Sequence, residues 1–256
     1  PNIKKQKIIS SYLDNRTNLI NLLIEKIQKK IKLLKEQHVS LINQSVIKKG
    51  KMYRLASLGN FSKGKNIKKD DLTESGYPVI LYSHIYTKYK RITREVNFFT
   101  SKKIASNATK IKGGSFLFTS SGETREEIGK TLLFKGDKDV LIGGDIIVFN
   151  LINEDNFDLE YLSYFFNSQN FQEQKSSSSR GDIIVHIYKR QIRELKICFP
   201  SKDEQIKTRK LLYKKEKITK NLIKNYFKKI EILKEYRLSL ISSAVTGKFR
   251  VTEGVI

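Results

Sequence analysis

The chain carries one segment twice, and this repeat limits what the chain can fold into. Residues 1–49 align without a gap on residues 200–248 at a constant offset of 199. Across residues 29–42 and their partners 228–241, nine of 14 positions are identical. Both copies place apolar residues at alternating steps of three and four. In the first copy these positions are Leu13, Thr17, Ile20, Ile24, Ile27, Ile31, Leu34, His38, Leu41 and Ser45. In the second they are Leu212, Glu216, Thr219, Ile223, Tyr226, Ile230, Leu233, Arg237, Leu240 and Ala244. That spacing is a heptad seam with a few polar breaks. A helix of about 33 residues is roughly 50 Å long and cannot bury such a stripe alone. The two copies therefore pack on each other or on copies in a second chain, the plainer alternative being core helices of an ordinary bundle. The residues expected to pair are Ile24, Ile27, Ile31, Leu34, Leu41, Ile223, Tyr226, Ile230, Leu233 and Leu240. Pro1 and Pro200 stand at the helix entries and Gly50 and Gly247 near the exits, as the preferences of these residues suggest.

The repeat divides the chain into a helix over residues 1–50, a different domain over 51–199, and a second helix with a tail over 200–256. In the middle, short β-branched and aromatic runs alternate with Gly-containing turns. Residues 79–82, 114–119, 145–149 and 182–187 read as strands. Residues 159–171 read as one amphipathic helix with Leu162, Phe165 and Phe166 inward. The expected architecture is α+β: a mixed α/β domain of about 150 residues, an ordinary domain size, flanked by two long helices.

Charge points to the partner. Fifty Lys and Arg against 26 Asp and Glu leave a net +24. The three segments carry +8, +7 and +9 in chain order, so the helices are the more basic per residue. Such an excess suits a polyanion, because cations that neutralise phosphates release counterions. A Lys-rich proteome from an AT-rich genome would produce part of the same bias. The single cysteine, Cys198, lies in an apolar run and permits no internal disulfide and no zinc site built from Cys pairs. A reducing cytoplasm is the expected location. There is no signal-peptide pattern, and no apolar stretch is long enough to span a bilayer.

Three loops carry the candidate contacts. Ser83, His84, Tyr86, Lys88, Tyr89, Lys90 and Arg91, extended to Arg94, interleave cations, hydroxyls and aromatics in a manner suited to phosphates and base edges. In the second loop, Ser120, Ser121, Glu123, Thr124 and Arg125 surround Gly122. Glu123 could accept from a cytosine amino group and Arg125 could pair with guanine. The third contains Lys175, Ser178 and Arg180; a mobile Ser/Gly linker is its alternative reading. Lys63 and Lys65 lie in a further basic segment that could touch backbone. Solvated turns are the plain alternative for all of these.

Catalytic signatures are missing from the sequence. There is no GxxxxGK[ST] phosphate loop, no GxSxG elbow, no Asn/Asp-Pro-Pro-aromatic motif of adenine methyltransferases, and no visible Asp…Glu-x-Lys nuclease core. Three histidines without an HxxxH spacing do not suggest a metal site. His38 falls in the seam, where it reads as a polar break. The chain reads as a binder, with an enzyme of unrecognised site and a coiled-coil adaptor without DNA affinity as rivals.

Each helix start carries Pro-x-x-x-x-Gln, followed by Leu-Ile, then Ile-x-x-Leu-Lys-Glu and Ser-Leu-Ile; the second copy closes on Ala244-Val245-Thr246-Gly247-Lys248. The middle carries residues 120–124, Ile128-Gly129-Lys130, residues 143–147, Arg180-Gly181-Asp182 and Val185-His186-Ile187. With these motifs, over essentially its whole length, the chain resembles the specificity (S) subunits of type I restriction-modification systems. The resemblance implies a target recognition domain and an antiparallel coiled coil of the two helices, which acts as a ruler between two DNA half-sites. It implies double-stranded DNA, an adenine methyltransferase (M) subunit and an endonuclease/translocase (R) subunit as partners, and neither cofactor nor catalysis in this chain. Full subunits of that family carry two recognition domains. This chain has one and so resembles a half-subunit or a C-terminal half, for which a homodimer with a bipartite, symmetric target is expected.

Overall fold

The computed structural model describes residues 2–47, 51–65, 67–181, 184–249 and 251. Pro1, Gly50 and the first two residues of the strand expected at 182–187 lie outside the described residues. In chain order the first elements are α1 (Ile3–Val46), β1 (Tyr53–Arg54), β2 (Gly59–Lys63), β3 (Leu72–Thr73), β4 (Tyr77–Ile80) and α2 (Tyr82–Thr87). There follow β5 (Ile92–Thr93), β6 (Phe99–Thr100), α3 (Lys102–Ala105), β7 (Thr109–Ile111), β8 (Phe116–Thr119) and β9 (Ser121–Gly122). Next come β10 (Thr131–Phe134), β11 (Val140–Ile142), β12 (Ile146–Leu151), α4 (Leu159–Phe166) and α5 (Gln169–Ser178). The chain ends with β13 (Val185–His186), α6 (Lys189–Glu194), β14 (Lys196–Ile197) and α7 (Lys202–Val245). Packing divides these elements into two compact units, one of residues 1–38 and 213–256, the other of residues 39–212. Both divisions fall inside the long helices, where the sequence placed its boundaries at residues 50 and 199.

The first unit is a helix pair. Every seam position named above is buried or half-buried on α1 and α7, while Leu19, Leu22, Leu33, Ile218, Leu222 and Ile232 between them are exposed. Ile27, Ile31 and Ile230 form one apolar cluster, joined by Ile24, Ile223, Tyr226 and Leu233. Tyr12, Ile20 and Leu240 form another. Rising numbers on α1 meet falling numbers on α7, so the pair is antiparallel. At the seam's polar break, Arg237 donates to Asn21 Oδ1 at 2.7 Å. Leu41 departs from the expected set: it packs against the core of the second unit, together with Ile42, Val46 and Leu212.

The second unit is built on two five-stranded sheets, ordered β2-β12-β8-β10-β5 and β3-β6-β4-β11-β7. Only β10–β5 and β11–β4 pair in parallel among these ladders. Strands β8, β10 and β11 are buried along their whole length, which explains why they read as unbroken apolar runs. Alternation is nevertheless present in three dimensions. Phe116, Phe118, Leu133, Ile147 and Phe149 join a core with residues of α4, α5 and α6. Leu117, Leu132, Phe134, Ile146 and Val148 face the opposite way, onto Ile80, Val140 and Ile142 of the second sheet.

Among the places where local structure differs from the sequence reading, three concern helices. The strand expected at 79–82 stops at Ile80, and Tyr82 opens α2. The single helix expected at 159–171 is two. Asn167 Nδ2 donates to Ser163 O at 2.8 Å, and the Ser168 hydroxyl donates to Phe165 O at 2.7 Å while capping the Phe171 amide. Finally, residues 175–178 of the third candidate loop, whose alternative reading is a mobile Ser/Gly linker, belong to α5.

Candidate functional site

The second and third candidate loops meet. Strands β9 and β13 pair antiparallel, with Ser121 opposite His186, and Arg180 bridges to His186 through reciprocal backbone bonds of 2.9 and 2.7 Å. Arg125 Nη2 donates to Gly181 O at 3.3 Å. Gly181 has φ +103° and lies close to Ile184 O, a backbone placement that favours glycine. Ser121 Oγ lies 3.1 Å from His186 Nδ1, and the His186 ring stacks on Tyr188. Glu123, Thr124, Arg125 and Arg180 are all exposed, giving a surface with both signs of charge and free hydroxyl chemistry. Tyr188, Lys189 and Arg190 are exposed beside them. His186 and Tyr188 were absent from the sequence candidates. Their signal was the run 185–187, in which Val185 and Ile187 are buried and His186 therefore points the other way.

The first candidate loop is largely structural. Residues 82–87 are helix, and His84 is buried: its Nδ1 accepts from the Leu81 amide at 3.2 Å and its ring stacks on Phe98 at 3.8 Å. Burial, with the Lys88 charge nearby, lowers the His84 pKa to about 4, so the ring is a neutral acceptor. Ser83 is half-buried on the same helix. Arg91 is also turned inward. It donates to Glu160 O at 3.3 Å and to Ser163 Oγ, and it lies 3.4 Å from the centre of the Tyr164 ring. Tyr89 is half-buried, and burial raises its phenol to about 12. Arg94 is exposed but reaches Glu160 at 3.5 Å, beside the 2.7 Å Lys135–Glu160 pair. Lys88 and Lys90 remain exposed, as do Lys63 and Lys65.

Lys175 is a clear correction. It is fully buried, and its ammonium donates to Gly129 O at 2.8 Å and Phe166 O at 3.1 Å. It cannot reach a phosphate from there. Ser120 is likewise buried and is held by backbone bonds with Asp145 and Ile187. The Ser178 carbonyl accepts from Gln191 Nε2. A cleft of about 740 Å³ adjoins the second loop, lined by Tyr86, Glu126, Glu127, Lys130, Gln169, Gln172 and Glu173 among others. Its three carboxylates against one ammonium make it unsuitable for a phosphate chain. Among the described residues, no group of three or more His, Cys, Asp or Glu side chains could hold a metal ion. No helix among them is long and apolar enough to cross a membrane.

A mixed-sheet domain with an exposed cluster of charged and hydroxyl-bearing loop residues stands in the chain between two matched long helices. Its lineage follows from comparison. The family model described as "Type I restriction modification DNA specificity domain" matches residues 47–235, about three quarters of the chain. The chain belongs to that family. Two solved structures share its fold. One is a chain from work on complex assembly and conformational transition of the type I R-M system, with 13% identity, a TM-score of 0.75, and 95% of this chain covered. The other is the HsdS subunit from Thermoanaerobacter tengcongensis, with 13% identity, a TM-score of 0.61, and 97% of this chain covered. In each case the match takes in 60% of the solved chain, so this chain spans about three fifths of their length. No curated protein sequence matches it.

Proposed function

We propose that this chain is a DNA-reading specificity subunit that directs separate modification and cleavage subunits to their target and performs no chemistry itself. The observation that carries this reading is the β9–β13 junction. It gathers two independently predicted loops into one exposed cluster inside a domain of the DNA specificity family. Glu123, Thr124, Arg125 and Arg180, with Ser121 at the margin, are the proposed base and backbone contacts. Lys63, Lys65, Lys88, Lys90 and Arg94 are proposed to meet phosphates at the periphery. Ser83, His84, Tyr86, Tyr89, Arg91, Ser120, Lys175 and Ser178 stand outside this set, because they are buried or half-buried in the domain.

The recognition domain is proposed to be residues 51–199, with the helices on either side as spacers. As a half-subunit the chain would pair as a homodimer to read a symmetric, bipartite site; as the C-terminal half of a longer subunit it would supply one of two readers. The exposed apolar residues of the helix pair, Leu22, Leu33, Leu222, Phe227 and Leu238 among them, are proposed to receive the adenine methyltransferase subunit. The endonuclease/translocase subunit would complete the assembly in the cytoplasm.

Co-purification with an adenine methyltransferase subunit, followed by mapping of methylated adenines, tests the reading. A stable complex that methylates a spaced two-part sequence is expected. A chain that forms no complex and imposes no sequence on methylation would be an adaptor. Turnover of DNA by the isolated chain with magnesium or S-adenosylmethionine would make it an enzyme.

A further inference from the structure

The turn that carries Glu123, Thr124 and Arg125 closes on a single oxygen atom. Tyr86, in the last turn of α2, places its phenol 2.8 Å from Thr119 Oγ1, 3.1 Å from Ser121 O and 3.1 Å from Glu127 O. Ser121 and Glu127 bound the exposed turn, so one hydroxyl ties its entry to its exit. A phenol has one proton and accepts through its lone pairs. Thr119 therefore donates to the phenol oxygen, and the phenol proton lies between the two carbonyls. Tyr86 is itself fixed: the Lys130 ammonium donates to its backbone carbonyl at 3.0 Å and lies 5.6 Å from the centre of its ring.

Gly122 completes the arrangement. A Cβ there would stand 2.9 Å from the Tyr86 hydroxyl oxygen, its other near atoms being at ordinary contact distance. The φ of Gly122 is not positive, so the backbone does not require glycine. The phenol does. Further along the chain, Gln172 Nε2 donates to Ile128 O and Lys175 Nζ to Gly129 O, both at 2.8 Å, which fixes the chain as it leaves the turn.

We propose that Tyr86 is a specificity-determining positioning residue, whose phenol, seated against Gly122, sets the shape in which residues 123–125 meet the bases without touching DNA itself. This rests on the reading of that turn as a DNA contact. Base-edge hydrogen bonds demand fixed donor and acceptor positions, whereas phosphate attraction tolerates displacement. A loosened turn should therefore lose discrimination and keep general affinity.

The test uses the full chain and a pool of random-sequence duplexes, from which wild type selects a preferred sequence. Affinity is then measured for the selected and a scrambled duplex at matched salt. Tyr86→Phe is expected to lower the ratio of the two affinities by about tenfold, the scale of one lost hydrogen bond. Affinity for the scrambled duplex and the thermal midpoint should stay close to wild type. Gly122→Ala displaces the same hydroxyl while keeping the ring, and so carries the test should Tyr86→Phe fold poorly. The double variant is expected to cost less than the two single losses combined, because Phe lacks the oxygen that the new Cβ meets. The proposal is overturned by full discrimination in both single variants while Glu123→Ala and Arg125→Ala lose it. If those two alanine variants also discriminate normally, the turn does not read DNA, and the reading beneath the proposal falls with it.

Discussion

Lys175 shows how far a residue's neighbours in sequence can mislead about its neighbours in space. Set among serines, it reads as an exposed cation on a loose segment. In the fold its ammonium is buried against two carbonyls, both of which also accept from the Thr131 hydroxyl. Which face of a short polar helix turns inward depends on packing that no local pattern encodes. His84 and Arg91 were misplaced for the same reason, whereas the exposed Glu123, Thr124 and Arg125 lie in a turn that Gly122 already announced. Burial lowers the Lys175 pKa from 10.5 to about 7. Between those values the unfolded chain binds a proton that the folded chain has released, so stability rises with pH across the window. Below about pH 7 the desolvation penalty is present in full. Urea unfolding midpoints should therefore climb between about pH 7 and pH 10 in wild type. In Lys175→Met the climb should be smaller, by an amount on the order of 1–3 kcal/mol over the window. Parallel curves for the two proteins would mean that the ammonium does not titrate as its surroundings dictate.

The long helices were the most legible elements because their signal is periodic and occurs twice. All twenty seam positions are turned from solvent on α1 and α7, and only the ends of the seam escape the pairing, as Leu41 and Leu212 do by joining the sheet unit. The short strands were harder. A strand buried on both faces carries no alternation of polarity, so β8 announces its existence but not its register, and the equally buried β10 and β11 were not read as strands at all. The break between α4 and α5 was invisible as periodicity and depends on two polar side chains bonding back to the helix. The seam can be tested by contrast on one helix. Ile230 is 4% exposed within the pair and Ile232 is 54% exposed. Ile230→Asp should destabilise the helix pair by about 3–5 kcal/mol, since it buries an unpaired charge as well as removing apolar contact. Ile232→Asp on the same helix should shift stability by no more than about 0.5 kcal/mol. Helical circular dichroism on heating reads both, and equal effects would place the seam elsewhere.

The whole chain carries +24, spread over both long helices and the domain between them, so general attraction to DNA and selection of a sequence should be separable properties. The sequence made the first visible through composition, and the repeat with its closing motifs made the family visible. Which loops converge had to come from the fold, because Ser121 and His186 are 65 residues apart. Attraction through phosphates depends on salt, with log K falling by about 0.9 per neutralised phosphate for each unit of log salt. Lys88, exposed at the end of α2, is a single cation on that account. Lys88→Ala should weaken binding to every sequence alike and reduce the salt slope by about one. Glu123 contributes no attraction to phosphate; its carboxylate can only repel the backbone or accept from a base. Glu123→Ala should therefore leave the slope unchanged and strengthen binding to scrambled DNA slightly. It should also flatten preference at one base pair by about 1–3 kcal/mol. Titrations of both variants across a salt series, on selected and scrambled duplexes, separate the two properties. A Glu123→Ala variant that keeps its base preference would move recognition away from this turn and onto the neighbouring surface of Arg180 and Tyr188.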